Sequence, residues 1–231
     1  MKIDFKPHFE KYRAIVRQAD ELFERVQKEH PECVTCKIGC SDCCHALFDL
    51  SLIEAIYINY QFKKTIKGKG KGKSSIIEKA NRADRKTHRI KRQAYKSKEG
   101  GKTENEILMD IAAERVRCPL LNDDEQCDLY EYRPITCRLY GIPTSIGGCS
   151  HTCGKSGFVE GKSYPAVNLD MIQKKLYDIS YEFVREIKTK YIKMADMLIP
   201  VSMAILTDFD EEYLGIESPK KAEKKQGKEN E

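Results

Sequence analysis

Apolar side chains recur at helical spacing near the start of the chain. Between Phe9 and Val26 they are separated by three or four positions, which places them on one face of an α-helix. His30 and Pro31 follow this segment, and a proline restricts the residue before it to extended conformations. We therefore predict an amphipathic helix that ends at His30–Pro31.

Capping signals and further apolar stripes predict additional helices. Ser or Thr followed three residues later by Glu is the pattern of a capping box, and it occurs at Ser51–Glu54, Ser75–Glu78 and Thr103–Glu106. The clearest stripe runs from Leu169 to Ile187, with Asn168 as its expected N-cap. The stripe continues from Tyr191 to Phe209 and is interrupted or restarted at Pro200.

Strand signals are few. Short apolar segments on either side of residues 122–126 favour a small hairpin, and Pro134 is placed to open a short helix through Cys137. We predict a mainly α fold, in which a helical domain carries cysteine-rich metal-binding loops and a minor β-hairpin. The expected segments are residues 1–62 (helix, cysteine cluster and second helix), 63–102 (basic insert), 103–217 (remainder of the domain) and 218–231 (disordered charged tail).

Charge is distributed unevenly along the chain. Residues 63–98 hold fifteen Lys or Arg against Glu78 and Asp84, a charge of +13, whereas the whole chain is only +5. Composition predicts a flexible hinge at residues 67–75, followed by a solvated helix. We expect this insert to be either a mobile solvated excursion or a docking arm for nucleic acid or an acidic protein.

No apolar run is long enough for a signal peptide or a membrane span. We therefore expect a cytoplasmic protein without membrane contact, in which cysteine thiols stay reduced. For ten cysteines in a chain of 231 residues, metal binding is then the first interpretation, catalytic thiols the second and disulfides the third.

The cysteines fall into three groups along the sequence. Gaps of two or three residues let neighbouring sulfurs point at one centre, as they do in zinc and iron–sulfur sites. The groups are Cys33, Cys36, Cys40, Cys43 and Cys44; Cys118, Cys127 and Cys137; and Cys149 and Cys153 with His151 between them. More than four thiols exceed the needs of one zinc ion, and adjacent cysteines share one tetrahedral ion only with strain. Both observations favour an iron–sulfur cluster, and zinc stays open.

Basic residues lie close to the cysteines in the sequence. Arg133 and Arg138 are near Cys137, Arg117 precedes Cys118, and Lys37 lies within the first group. Such cations can stabilise thiolates and balance the negative charge of a cluster, although each could equally be a solvated surface residue.

Three sequence blocks together resemble a known family. The blocks "CKIGCSDCCH", "CPLL" and "CDLYEYRPITCRLYG" are similar to those of the YkgJ-type cysteine cluster proteins, which carry a zinc- or iron-chelating domain. The matching residues are Cys36, Cys40, Cys43, Cys44, Cys118, Pro119, Cys127, Tyr130, Arg133, Pro134, Cys137 and Arg138. Cys33 is then an extra thiol. The predicted metal ligands are Cys36, Cys40, Cys43, Cys44, Cys118, Cys127, Cys137, Cys149 and Cys153.

The resemblance also implies hypotheses about function. The cysteine motif is similar to that of flagellin lysine N-methylases, which implies a [4Fe–4S] cluster and, as one hypothesis, methyl transfer from S-adenosylmethionine to a protein substrate. The sequence has no recognisable S-adenosylmethionine loop. The alternatives are a non-catalytic zinc module with a basic docking arm and a redox or metal-handling protein. The gap between Cys44 and Cys118 exceeds the spacing usual in the family, so the insert is expected to be peripheral to the site.

Overall fold

A computed structural model describes residues 3–37, 39–66 and 71–216. The tail predicted at 218–231 and the first four residues of the predicted hinge, 67–70, lie outside these ranges. The helices of the described residues are α1 (Lys6–Glu29), α2 (Leu52–Thr65), α3 (Lys71–Glu99), α4 (Glu104–Ala113), α5 (Ile135–Leu139), α6 (Leu169–Glu186) and α7 (Val201–Leu206). Single 3-10 turns lie at Asp42–His45, Tyr130–Tyr132 and Ile192–Asp196.

Helix α2 is the centre of the fold. Its residues from Leu52 to Phe62 are buried with the single exception of Tyr60, because α1, α6 and α7 pack around it. A helix that is apolar on all sides is stable only in such surroundings. Its few polar side chains are paired: Asn59 donates to the carbonyl oxygens of Ala204 and Thr207 at 2.9 and 2.8 Å, which satisfies the end of α7.

Local signals located most helix starts correctly. Both capping boxes at Ser51–Glu54 and Thr103–Glu106 are present, and the Asn168 side chain accepts a hydrogen bond from the Met171 N–H. Helix α1 ends before His30, as predicted. Pro134 is the N-cap of α5, one position before the helix begins.

The β-structure is small, which confirms the mainly α fold class. Strands β1 (Asp49–Leu50) and β5 (Ile199–Pro200) form an antiparallel pair. The second sheet has the order β3 (Cys149–His151), β2 (Thr144–Ile146) and β4 (Val167–Asn168), with β2 and β3 forming a hairpin. At residues 122–126, where the hairpin was predicted, the structure has a turn closed by an isolated bridge between Leu121 and Cys127.

Helix α3 contradicts two expectations for the basic insert. It already begins at Lys71, so residues 71–75 are not a hinge and Ser75 does not cap its start. Nor is the helix a solvated excursion, because Ile76 and Ala80 belong to the main core and Ala83 and Ile90 to a smaller one. The apolar residues at helical spacing bury one face of α3 despite its high charge.

The sequence predicts no segment that spans a membrane. Among the ranges that the structure describes, no helix combines the length and apolar character needed to cross a lipid bilayer.

Candidate metal centre

The first cysteine segment is joined to the second by backbone pairing. The N–H of Cys118 donates to the carbonyl oxygen of Cys44 at 2.7 Å, and the N–H of Val116 donates to that of His45 at 2.9 Å. The 3-10 turn that begins at Asp42 presents Cys43 and Cys44 at this junction. Two cysteines separated by 73 residues, Cys44 and Cys118, are thereby neighbours.

A tight loop returns the chain from Cys118 to Cys127. The N–H of Asp128 donates to the carbonyl oxygen of Leu120 at 2.8 Å, and the Asn122 side chain accepts N–H hydrogen bonds within the turn. Asn favours turns because its side chain can replace a backbone acceptor. The loop therefore places Cys127 beside Cys118.

The third segment is positioned by a buried carboxyl. The N–H of Ile135, at the start of α5, donates to Glu54 Oε1 at 3.2 Å, while the other Glu54 oxygen completes the capping box of α2. One side chain thus accepts hydrogen bonds from N–H groups at the starts of two helices, where no partner is available within the helix. Cys137 lies in the single turn of α5 that this contact fixes.

Five thiols line one small cavity of about 50 Å³. We call them the five-thiol group: Cys43, Cys44, Cys118, Cys127 and Cys137. The thiols of Cys137 and Cys44 hydrogen-bond to Cys43, which lowers the pKa of Cys43 and raises those of its two partners. Burial raises the pKa of Cys118 to about 12. The group therefore stabilises a thiolate through its own neighbouring thiols, and the adjacent cysteines Cys43 and Cys44 face the same cavity.

The walls of this cavity are mainly apolar, and α3 supplies part of them. Ala83 and Thr87 of α3 line it together with Val116 and Leu129, and Lys79 donates to the carbonyl oxygen of Leu121 at 2.8 Å. The expectation that the insert is peripheral to the cysteine site is therefore wrong. Its buried face is long enough to cover the thiols because the helix extends over 29 residues.

Of the four basic residues near the cysteines, Arg133 and Arg117 line this cavity. The Arg133 guanidinium stacks on the Tyr130 ring at 4.0 Å, and its charge acts on Cys43 and Cys127. Arg117 lines the rim of the cavity but forms an ion pair with Glu125 at 2.8 Å. Arg133 is thus the residue placed to balance thiolate charge.

Arg138 has a structural role instead. Its side chain is 7% exposed, and Nη1 lies 2.7 Å from an Asp20 carboxylate oxygen on α1. Nε and Nη2 donate to the carbonyl oxygens of Arg133 and Glu131 at 2.9 and 2.6 Å. Because its guanidinium makes all of these contacts, Arg138 links α5 to α1. Lys37 is exposed.

A second set of thiols adjoins the first. We call it the three-thiol group: Cys36, Cys40 and Cys153. Burial, followed by the charges of Cys40 and Cys153, raises the pKa of Cys36 to about 11. The charge of Cys43 also acts on Cys36, so the two thiol groups are close to each other. The structure thus separates eight of the nine predicted ligands into two adjoining groups.

Asp42 joins the three-thiol group and was not among the predicted ligands. Cys153 Sγ lies 3.6 Å from Asp42 Oδ2, which also accepts the Tyr140 hydroxyl at 2.9 Å. Arg115 donates to Oδ1 at 2.6 Å. Although burial opposes ionisation, the hydrogen bonds from Tyr140 and Arg115 hold the pKa of Asp42 below its usual range. The available signal was a carboxylate within the sequence "CSDCC".

Gly141 allows Cys36 to approach. Its φ of +105° is a left-handed conformation, and a Cβ at this position would lie 2.3 Å from Cys36 Sγ. The Cys36 thiol also contacts the Tyr140 carbonyl oxygen at 3.4 Å. Only glycine satisfies both the backbone angle and the close contact.

The remaining cysteines lie apart from both groups. Cys149 is exposed on β3 with its neighbour His151, so it does not join the predicted centre. Cys33, the expected extra thiol, is buried and contacts the Glu32 carboxylate at 3.5 Å.

The five-thiol group offers only sulfur atoms as candidate donors for a metal. In the part of the chain that the structure describes, no group of three or more His, Cys, Asp or Glu side chains meets the geometry for holding a metal ion. The five thiols nevertheless fit a soft metal, because no carboxylate or imidazole lines their cavity and thiolates select zinc, Cu(I) or iron–sulfur clusters. Each thiol can be reoriented by rotation about one side-chain bond.

Comparison with protein-family models, curated proteins and solved structures gives no match. The resemblance to the YkgJ-type proteins is therefore carried by the cysteine motifs alone and stays a prediction. The arguments about function below depend on the residues of this chain.

Proposed function

We propose that this chain is a metal-binding cysteine-cluster protein that holds an iron–sulfur cluster, of the [4Fe–4S] type, in the five-thiol group. One observation carries the proposal: five thiols from three separate segments line a single apolar cavity. A four-iron cluster takes four thiolate ligands, so the group supplies enough sulfur donors and one in excess. The apolar wall would limit the access of water to the cluster.

A site with four thiolate ligands has a net negative charge with either a [4Fe–4S] cluster or a zinc ion, so charge balance does not distinguish the two metals. Arg133 lines the cavity, and its positive charge acts on Cys43 and Cys127, so it can offset the negative charge of either centre. Zinc in the same group is the alternative function, in which the protein is a non-catalytic module whose folding depends on the metal.

Lysine methylation is a second candidate, and a separate cavity favours it. This cavity of about 490 Å³ lies between α2, α5 and α6, within the size range of small-molecule sites. Its lining combines Tyr177 and Leu198 with the carboxylates of Asp170 and Asp196, which suits a ligand with an adenine ring and a sulfonium cation. Thr136 also lines it, one residue before Cys137, so such a ligand would lie next to the metal centre.

Anaerobic purification followed by iron, sulfide and zinc analysis tests the metal assignment. We expect a brown protein with about four irons per chain. Cys127→Ser should lose more than half of this iron, whereas the control Cys149→Ser, on the exposed β3, should keep it. A colourless protein with one equivalent of zinc, lost in Cys127→Ser, would establish the zinc module in place of the cluster.

Ligand binding and methyl transfer test the second candidate separately. Calorimetric titration with S-adenosylmethionine should give one site, which Asp196→Asn weakens and the distant control Asp4→Asn does not. Incubation with bacterial lysate and labelled S-adenosylmethionine should then transfer methyl groups to protein lysines. No heat of binding and no transfer would leave the metal-centre proposal in place and remove the methylase function.

A further inference from the structure

Helix α3 exposes a row of cations opposite its buried face. We call this row the basic stripe: Arg85, Arg89, Arg92 and Lys96, all of them exposed. Each stripe residue lies two positions after a residue on the inward face of α3, and this face includes the buried residues Ala83, Thr87 and Ile90. Two positions correspond to roughly 200° around a helix with 3.6 residues per turn. The stripe therefore points directly away from the protein.

The stripe is free of internal partners, unlike the basic residues on the flanks of α3. Lys91 pairs with Asp49 at 2.6 Å, and Lys79 and Lys86 donate to backbone carbonyl oxygens. None of the four stripe side chains has a hydrogen bond or ion pair to any residue that the structure describes. Apart from Glu78 and Asp84, which are both paired, the one acidic residue of α3 is Glu99 at its C-terminal end, so most of the positive charge of the stripe is not neutralised within the helix.

The spacing of the stripe suits a row of phosphates. Steps of four, three and four residues at 1.5 Å per residue place the cations along roughly 16 Å of the helix axis. Three of the four are arginines, whose planar fork binds phosphate oxygens in pairs. The rest of the chain carries −8, so attraction of a polyanion would be confined to α3 and would not be a property of the whole surface.

Other occupants fit the stripe less well. Protein interfaces need apolar or aromatic anchors, and Tyr95 is the one large exposed hydrophobic side chain of α3. A single aromatic side chain also cannot stack successive bases of a single strand. A lipid surface would require a free apolar face, but the apolar face of α3 is packed into the core.

We propose that the basic stripe binds the phosphate backbone of double-stranded nucleic acid, without reading base sequence. The proposal is independent of the metal centre, because the stripe and the thiol cavity lie on opposite faces of the same helix. About four phosphate contacts would contribute a slope of about −3.6 to the dependence of log K on log salt concentration.

The test is fluorescence anisotropy with a labelled 20-base-pair duplex, as DNA and as RNA, between 25 and 200 mM salt. The stripe variant replaces Arg85, Arg89, Arg92 and Lys96 with Gln. The control variant replaces four residues of α1 with Gln: Lys6, Arg17, Arg25 and Lys28. These residues are also exposed, and their replacement changes the net charge by the same amount. We expect the stripe variant to bind at least tenfold more weakly at 50 mM salt and its slope to fall by about 3 to 4. The control variant should bind within twofold of the parent chain.

Three results would overturn the proposal. The first is equal loss of binding in both variants, because net charge alone would then explain the affinity. The second is an unmodified chain that fails to bind either duplex at 50 mM salt. The third is preferential capture of poly-glutamate by the stripe, which would assign it to an acidic protein partner. Far-ultraviolet circular dichroism of both variants should match the parent chain, since all eight replaced side chains are exposed.

Discussion

Arg138 provides the most direct test of how the cysteine-bearing segments are held together. Replacement by Met keeps much of the aliphatic volume but removes the guanidinium. The variant Arg138→Met therefore loses the ion pair with Asp20 at 2.7 Å. It also loses the donors to the carbonyl oxygens of Arg133 and Glu131.

The structure gives the size of this loss. Breaking a fully buried ion pair by removing one partner costs about 3–5 kcal/mol. The Asp20 side chain is 37% exposed, so water solvates part of the remaining charge and the cost of the pair falls below that range. Two carbonyl oxygens without their donor add to it. We expect a total of about 3 kcal/mol, or a melting temperature lower by about 6–12 °C for a chain of this size.

Urea unfolding followed by circular dichroism, at equal metal content, measures the difference in unfolding free energy. Arg117→Met is the matched control, because its pair with Glu125 at 2.8 Å is about 42% exposed on each side and should contribute below about 1 kcal/mol. If Arg138→Met costs no more than this control, the proposed fastening of α5 to α1 is refuted. Arg138 would then be available for the alternative role of balancing thiolate charge.

Three further predictions concern backbone conformation, protonation and the cavity wall. Gly141→Ala should lower the unfolding free energy by about 2–4 kcal/mol, because the new Cβ meets the Cys36 thiol and the backbone is strained. The control Gly101→Ala has φ +89° but no neighbour within 4 Å, so it should cost only the backbone strain of about 1–2 kcal/mol. Equal losses in urea unfolding would contradict the close contact with the thiol. Burial raises the pKa of Glu54 above 4.5, so the folded state binds its proton more tightly, and the unfolding free energy should fall as pH rises from 4.5 through the folded-state pKa. Glu54→Gln should remove that slope in urea unfolding at several pH values, and identical slopes in both proteins would exclude the effect. Ala83→Asp would place a carboxylate in the thiol cavity, so it should lower the unfolding free energy by roughly 2–4 kcal/mol and reduce the amount of bound metal. The control Gln93→Asp, on the exposed side of α3, should change neither quantity. Equal effects of the two variants would mean that α3 does not cover the thiols.

Local sequence signals were sufficient for most of the helix starts and indicated which segments carry the cysteines that lie together in the fold. A capping box such as Thr103–Glu106 is formed within four residues, so its geometry does not depend on the rest of the fold. The stripe of α6 was equally readable, because one face of a helix repeats every 3.6 residues. Eight of the nine predicted ligands lie in the two thiol groups, and Cys149 does not.

The errors concern residues whose partners are distant in sequence. The Gly- and Lys-rich start of α3 indicated a hinge, but α3 is stabilised along its length by burial of Ile76, Ala80 and Ala83, which composition does not reveal. Arg138 is close to Cys137 in sequence, yet its guanidinium is turned toward Asp20 on α1. Asp42 was overlooked because a carboxylate among five cysteines has no distinctive spacing.

The sequence by itself determined the helical segments, the concentration of positive charge in residues 63–98 and the presence of far more thiols than a fold requires, because each of these properties follows from local spacing or composition. The tertiary structure decided which thiols adjoin, which arginines line their cavity and which side of α3 is left exposed. These arrangements depend on contacts between distant segments, such as Asp20 with Arg138, which are 118 positions apart. Packing around the buried helix α2 selects them, and no local pattern in the chain specifies that packing.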